Sequence, residues 1–348
     1  MESLQNMLRT GASLLTEFHK ATAGLGVNGL DGQLVQTSLH GAVGAGDIRQ
    51  VSRWLGTPSI DVNRADERGR TPLLVACREG LVEVVKLLLA APGVDVNWAD
   101  EDGRTPLILA SQNGHTEEVK LLLAAQGIDV NRVDEHGITP LNAASFGGHI
   151  EVVKLLLAAP GIDVNRADEK FGETPLIAAS FNYHAEVVKL LLGAPGIDVN
   201  RADNSGRTPL YWASYSGNTE VVGLLLGAPG IDVNRADMDG ETPLTLSSTW
   251  GYLHGVTLLL GAPGIHVLRT NKDGKSALDL ATERDRADII PLLEELVDAK
   301  HSFVALFRVL MHIGLPCVQA SALAMRHLPS ERAKALATRA RDTWTIPP

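Results

Sequence analysis

Cysteine is almost missing from this chain: Cys77 and Cys317 are the only two in 348 residues. Two thiols cannot build a disulfide framework or a four-cysteine zinc site, and a reducing, intracellular setting is expected. Aromatic residues are nearly as scarce. Trp 5, Tyr 4 and Phe 6, fifteen rings in all, make up 4% of a sequence that is 45% hydrophobic. Its apolar content is therefore Leu, Val, Ala and Ile, which suits short aliphatic packing between helices. Cations are in deficit, with 31 Lys and Arg against 41 Asp and Glu and a net charge of −10. That balance argues against a dedicated nucleic-acid binder, which needs clustered Lys and Arg for phosphate. The first eighteen residues lack a basic stretch followed by an unbroken apolar run, so no secretory signal is expected.

What the chain has in abundance is periodicity. Thr-Pro-Leu recurs at Thr71, Thr105, Thr139, Thr174, Thr208 and Thr242, at spacings of 34, 34, 35, 34 and 34. The same register reaches back to Thr37-Ser38-Leu39-His40 and forward to Ser276-Ala277-Leu278, giving eight units with degenerate ends. Glycines keep phase at Gly69, Gly103, Gly137, Gly172, Gly206, Gly240 and Gly274. A repeat of this length points to a solenoid.

Each unit reads as a turn and two helices. Asp-x-x-Gly opens with a turn whose Gly takes positive φ. Thr then serves as N-cap and Pro as first helical residue, where its missing N–H is not needed. Small residues (Ala76, Ala110, Ala144, Ala179, Ala213) let helices approach, and Gly80, Gly114, Gly148 and Gly217 end the first helix. The second helix is Glu-Val-Val-Lys-Leu-Leu-Leu, as in 83–89 and 151–157; Ala-Pro-Gly stops it, and Ile-Asp-Val-Asn runs extended into the next turn.

These residues together resemble the ankyrin-repeat family over roughly 34–298, about three quarters of the chain. The resemblance implies an all-α repeat solenoid: a stack of helix pairs with projecting β-hairpin turns and a concave, protein-binding surface. It implies no chemistry, cofactor or metal. The linker Ala-Pro-Gly-Ile-Asp-Val-Asn is one residue longer than the family's usual connection, and the His after Thr-Pro-Leu survives only as His40. The family also implies that the Asn of Asp-Val-Asn is a position asparaginyl hydroxylases can modify.

Three apparent chemical motifs dissolve on this register. Gly24-Leu25-Gly26-Val27-Asn28-Gly29 follows an expected helix rather than the strand a dinucleotide site needs. Gly274-Lys275-Ser276 is the repeat's own turn, with Arg269 where a phosphate loop would hold Gly. His115, His149 and His184 recur one repeat apart, too far apart to share one zinc at bonds of about 2 Å, and are expected to make structural hydrogen bonds. No catalytic constellation stands out, and the chain is expected not to be an enzyme.

In a repeat array the variable positions carry recognition. Counting each Thr as one, position eight reads Arg78, Gln112, Phe146, Phe181, Tyr215 and Thr249, and position nine of the seventh unit is Trp250. By the resemblance these positions face the concave groove. Four consecutive units thus present a ring, with Tyr183, Tyr211 and Tyr252 close by in sequence and Trp98 extending the surface toward the second repeat. Trp212, at position five, is expected in the core. Acidic hairpin tips in the first half of the array favour a protein or peptide partner that combines apolar anchors with basic residues.

The ends differ from the array. Residues 1–33 are expected to form a helical cap and linker, with apolar residues at helical spacing over 2–22. Residues 299–348 carry seven Lys or Arg against Glu331 and Asp342, a net +5, and are expected to be a basic helical extension. Three readings compete for it: helices packed on the last repeat or another subunit, a membrane tail anchor over 303–325, and a SOCS-box-like element. Arg308, His312 and Pro316 weaken the anchor. The third, based on Ser302 to Arg308 and Leu328-Pro329, would recruit ubiquitin-ligase subunits and make the chain a substrate receptor. Otherwise the expectation is a cytoplasmic (or nuclear) binding scaffold without membrane contact.

Overall fold

The computed structural model describes residues 38–57 and 60–298. The expected N-terminal helix, the glycine motif at 24–29 and the extension over 299–348 lie outside the described residues.

Sixteen helices in eight pairs make up the described residues, and none of these residues is in a strand. The first helices of the pairs are α1 (Leu39–Gly44), α3 (Pro72–Glu79), α5 (Pro106–Gln112), α7 (Pro140–Gly147), α9 (Pro175–Phe181), α11 (Pro209–Ser216), α13 (Pro243–Trp250) and α15 (Ala277–Glu283). The second helices are α2 (Ile48–Leu55), α4 (Val82–Leu89), α6 (Thr116–Leu123), α8 (Ile150–Leu157), α10 (Ala185–Leu192), α12 (Thr219–Leu226), α14 (Leu253–Leu260) and α16 (Ile290–Asp298). Odd helices pack on odd helices of the adjoining repeats, and even on even from α2 to α14; α16 packs on α15. No described helix is long and apolar enough to cross a membrane.

Helices this short are marginal alone, so caps and tertiary packing must hold them. Each Thr of Thr-Pro-Leu accepts the backbone N–H three residues on, as Thr71 does from Leu74 and Thr174 from Ile177, and Pro follows at N1. Such a cap contributes about 1 kcal/mol. Gly80, Gly148, Gly217 and Gly251 close odd helices in the left-handed conformation. One continuous aliphatic core runs from Leu39 to Leu293 between the two helix layers.

Three ladders join the repeats. Between them project tight fingers, six closed on an Asp and the last on Asn271: Asp66 Oδ1 accepts from the N–H groups of Arg68 and Arg70, both at 2.9 Å. Successive fingertips bond backbone to backbone, Glu135 N to Asp102 O at 3.0 Å and Glu169 N to His136 O at 2.9 Å. This approach excludes a side chain at the tip glycine. At Gly103 (φ +76°) a Cβ would sit 2.7 Å from the backbone N of Glu135.

The second ladder is built by the Asn of each Asp-Val-Asn. Asn131 Nδ2 donates to Gly161 O at 2.7 Å while its Oδ1 accepts from Asp163 N at 2.8 Å. Asn63, Asn97, Asn165, Asn200 and Asn234 make the same pair of bonds one repeat onward. In the third ladder, Nε2 of His115, His149 and His184 pairs with the carbonyls of Arg78, Gln112 and Phe146 at 2.9–3.0 Å. Arg286 does the same toward Thr249 O at the last repeat. These histidines are structural links between repeats, and no group of three or more metal-ligating side chains occurs among the described residues.

One core position breaks the pattern. Glu118 in α6 stands where Val84, Val152, Val187 and Val221 stand in sibling helices, and it is 2% exposed. Its Oε1 has no hydrogen-bond partner among the described residues. Burial, with Glu118 nearby, pushes the Cys77 thiol up.

Candidate binding surface

The odd helices and the fingers form one face of the stack. Position eight falls in the last turn of each odd helix, held by the Thr cap at one end and, in most units, by glycine at the other. The position-eight rings Phe181 and Tyr215 join Trp212 and Trp250 in an unbroken edge-to-face chain. Phe181 meets Trp212 with centroids 5.1 Å apart, Trp212 meets Tyr215 at 5.7 Å, and Tyr215 meets Trp250 at 5.7 Å. Tyr211 adds a fourth edge-to-face contact with Trp212 at 5.8 Å. Each such pair contributes roughly 0.5–1.5 kcal/mol beyond area burial.

The chain of rings rests on a small core of its own. Ile177, Tyr211, Trp212 and Leu246 form a buried cluster separate from the main one, and Phe181 and Tyr215 pack against it half-buried. Trp212 is thus buried as expected, though in this second cluster and not between the two helix layers. Its siblings at position five are aliphatic and hid this role. Tyr211, expected among the surface rings, is only 6% exposed and is corrected to a supporting residue. Its place at N3 of α11 turns it under Trp212, and its hydroxyl meets the Asp237 side chain.

Phe146 and Trp250, at the two ends of the strip, are 45% and 40% exposed. Phe146 makes no ring contact among the described residues and stands one repeat before Phe181. Tyr183 is 60% exposed and holds φ +66° where siblings place glycine. Its hydroxyl donates to the Ser216 carbonyl. Tyr252 lies with its ring against Gly217. Burial raises its phenol, and the neighbouring Tyr183 and Tyr215 raise it further, so the three tyrosines share one patch.

Arg78, Gln112 and Trp98 belong to earlier repeats and do not join this group. Arg78 is half-buried and pairs with Glu79 at 2.7 Å. Gln112 is exposed, and Trp98 donates from Nε1 to Gly69 O at 3.0 Å.

The electrostatics come from the base of the fingers, a feature the sequence reading missed. The residue before each Thr runs Arg70, Arg104, Ile138, Glu173, Arg207, Glu241. Arg70 and Arg104 pair within their own fingers, with Asp66 and Asp100. Arg207 instead lies over the rings, 5.3 Å from the Trp212 centroid and 5.8 Å from that of Tyr211. Its Nε is 3.8 Å from Asp237 Oδ2, and Trp212 Nε1 donates to Asp203 Oδ2 at 3.1 Å.

Acids outnumber this one cation. Burial pushes the Glu173 carboxyl up to about 7, with Asp168 and Asp203 adding to the rise and Arg207 opposing it. Glu241 Oε1 accepts from Asn271 Nδ2 at 2.7 Å, while its Oε2 is buried without a partner among the described residues. The negative excess therefore sits beside the ring chain, in repeats five to seven. The sign change from Arg to Glu at one register position was the available signal.

Models of ankyrin repeats match this chain over residues 89–168 and 167–237 (three copies) and 56–110 (many copies). No curated protein matches it.

Proposed function

Since the chain belongs to the ankyrin-repeat family, whose repeats mediate protein–protein interaction, we propose that it is a non-catalytic scaffold holding a protein or peptide along the concave face of repeats four to seven. The observation that carries this reading is the ring chain Phe181–Trp212–Tyr215–Trp250. Phe181, Tyr215 and Trp250 reach the surface and are joined through the buried Trp212, and clustered surface rings mark a partner site. Here the rings are held by a private core, so little ordering entropy is lost on docking, and aromatic anchors of this kind dominate interface energetics.

The partner fits as an extended or helical segment with apolar anchors and basic residues. The apolar groups would meet Phe146, Phe181, Tyr215 and Trp250, and the cations would meet the partly exposed acids Glu173 and Asp203. A cytoplasmic setting goes with this reading, as does the absence of nucleic-acid and membrane partners. Capture of proteins on the full chain, compared with a Phe146→Ala/Trp250→Ala form of unchanged helicity, tests it. Partners held by the first and lost by the second support the groove; an unchanged set removes it.

A further inference from the structure

Three rings of the strip keep one register. Phe146, Phe181 and Tyr215 all stand at position eight, in the last turns of α7, α9 and α11, which pack on one another in that order. Packed helices lie about 8–10 Å apart, and this sets the spacing of the rings. Phe181 and Tyr215 each touch Trp212, at 5.1 and 5.7 Å, so their separation cannot exceed those two contacts laid end to end. Trp212 beneath them is only 6% exposed. The strip is therefore shallow and offers ring faces and edges, not a deep slot for a long side chain.

That pitch selects the backbone of the ligand. Along a β-strand, side chains on one face recur at about 7 Å and again at about 13 Å, and neither matches. A polyproline II helix has three residues per turn rising about 3.1 Å each, so every third side chain returns to one face after about 9 Å. An α-helix also matches, at every seventh residue and about 10.5 Å.

Hydrogen bonding separates these two. Trp98, Tyr183 and Trp212 each donate to an acceptor within the stack. Tyr215 Oη and Trp250 Nε1, on the strip itself, have no hydrogen-bond partner among the described residues. An α-helix spends its carbonyls on its own N–H groups, whereas a polyproline II backbone has no internal hydrogen bonds and leaves its carbonyls free to accept. Charge adds a flank. Trp212 Nε1 donates to Asp203, Glu173 is close enough to feel the Asp203 charge, and both acids are partly exposed. Arg207 is already engaged with the Trp212 ring and Asp237.

We propose that the partner's segment is a proline-rich stretch in the polyproline II conformation, the geometry that aromatic-lined surfaces recognise. Every third residue, Pro or another apolar one, rests on Phe146, Phe181 and Tyr215. Its carbonyls accept from Tyr215 and Trp250, and a Lys or Arg lies beside Glu173 and Asp203. This rests on the reading of the strip as the binding surface.

Calorimetric titration of the full chain at pH 8 with two synthetic peptides tests it. One is nine prolines followed by two arginines; the other is an amphipathic α-helix of the same net charge. The proline peptide should bind saturably below about 1 mM. Phe181→Ala and Tyr215→Ala, with parental helicity, should each weaken it about tenfold, and Glu173→Gln about threefold. Tighter binding of the helical peptide, dependent on the same two rings, overturns the polyproline assignment and leaves the strip as the binding surface. A proline peptide that fails to bind, or binds both ring variants as it binds the parent, also overturns the proposal. The strip itself is then judged by the separate Phe146→Ala/Trp250→Ala capture.

Discussion

Tyr183 donates its hydroxyl to the carbonyl of Ser216 in the next repeat while its own backbone sits at φ +66°. Sibling repeats put Gly80, Gly114, Gly148, Gly217 and Gly251 at this position, all with positive φ. Holding a non-glycine residue there costs about 1–2 kcal/mol, and one exposed hydrogen bond returns about 0.5–1.5 kcal/mol.

Tyr183→Gly should therefore leave stability within about 1 kcal/mol of the parent, or raise it. If Tyr183 is kept for contact, the same change should weaken partner binding about tenfold. Urea unfolding and calorimetric titration separate the two. A stability loss above about 2 kcal/mol with unchanged affinity would mark Tyr183 as structural.

Glu118 is a buried acid at a position that is Val in four sibling helices. Glu118→Val restores the residue of four sibling helices and removes a buried oxygen without a partner. A gain of about 1–3 kcal/mol is expected, read as a higher urea midpoint at unchanged slope. An equal or lower midpoint would mean that water or a rotamer change satisfies the carboxylate.

Glu173 should impose a pH dependence of defined sign. Its carboxyl, ordinarily at 4.5, is raised to about 7 in the folded chain, first by burial and then by Asp168 and Asp203. Between those values the folded state holds the proton more tightly. Its contribution to stability is thus present below pH 4.5 and lost as pH rises through 7. Glu173→Gln should be close to the parent at pH 4.5 and more stable by about 1–3 kcal/mol at pH 8. Equal unfolding curves for the two at pH 8 would show that Glu173 is paired or solvated there.

The repeat, its caps and its turns were legible because they depend on short-range rules repeated in every unit. Thr before Pro, glycine at the finger and glycine after the odd helix each state a local backbone need. The Asn and His ladders were visible as periodic residues, but their partners lie about 30–38 residues away and needed coordinates. The surface was only partly legible. Register put Phe181 and Tyr215 on a shared face, yet it could not show that Trp212 joins them, because position five elsewhere holds Val75, Leu109 or Ala143. Tyr211 was misplaced for the converse reason: closeness in sequence to a surface is not exposure, and at N3 it turns inward beneath the indole. The acids around Arg207 converge from neighbouring fingers, a relation no single unit contains.

The central claim is that the ring chain holds the partner. Calorimetric titration of a purified binding partner should compare the parent chain, Phe181→Ala, Tyr215→Ala, and Lys154→Ala on the exposed side of α8 as a control. Each ring substitution is expected to weaken binding by about 1–2 kcal/mol or more, with Lys154→Ala within about 0.5 kcal/mol of the parent. Equal affinities for the parent and both ring variants, with folding intact, would contradict the account.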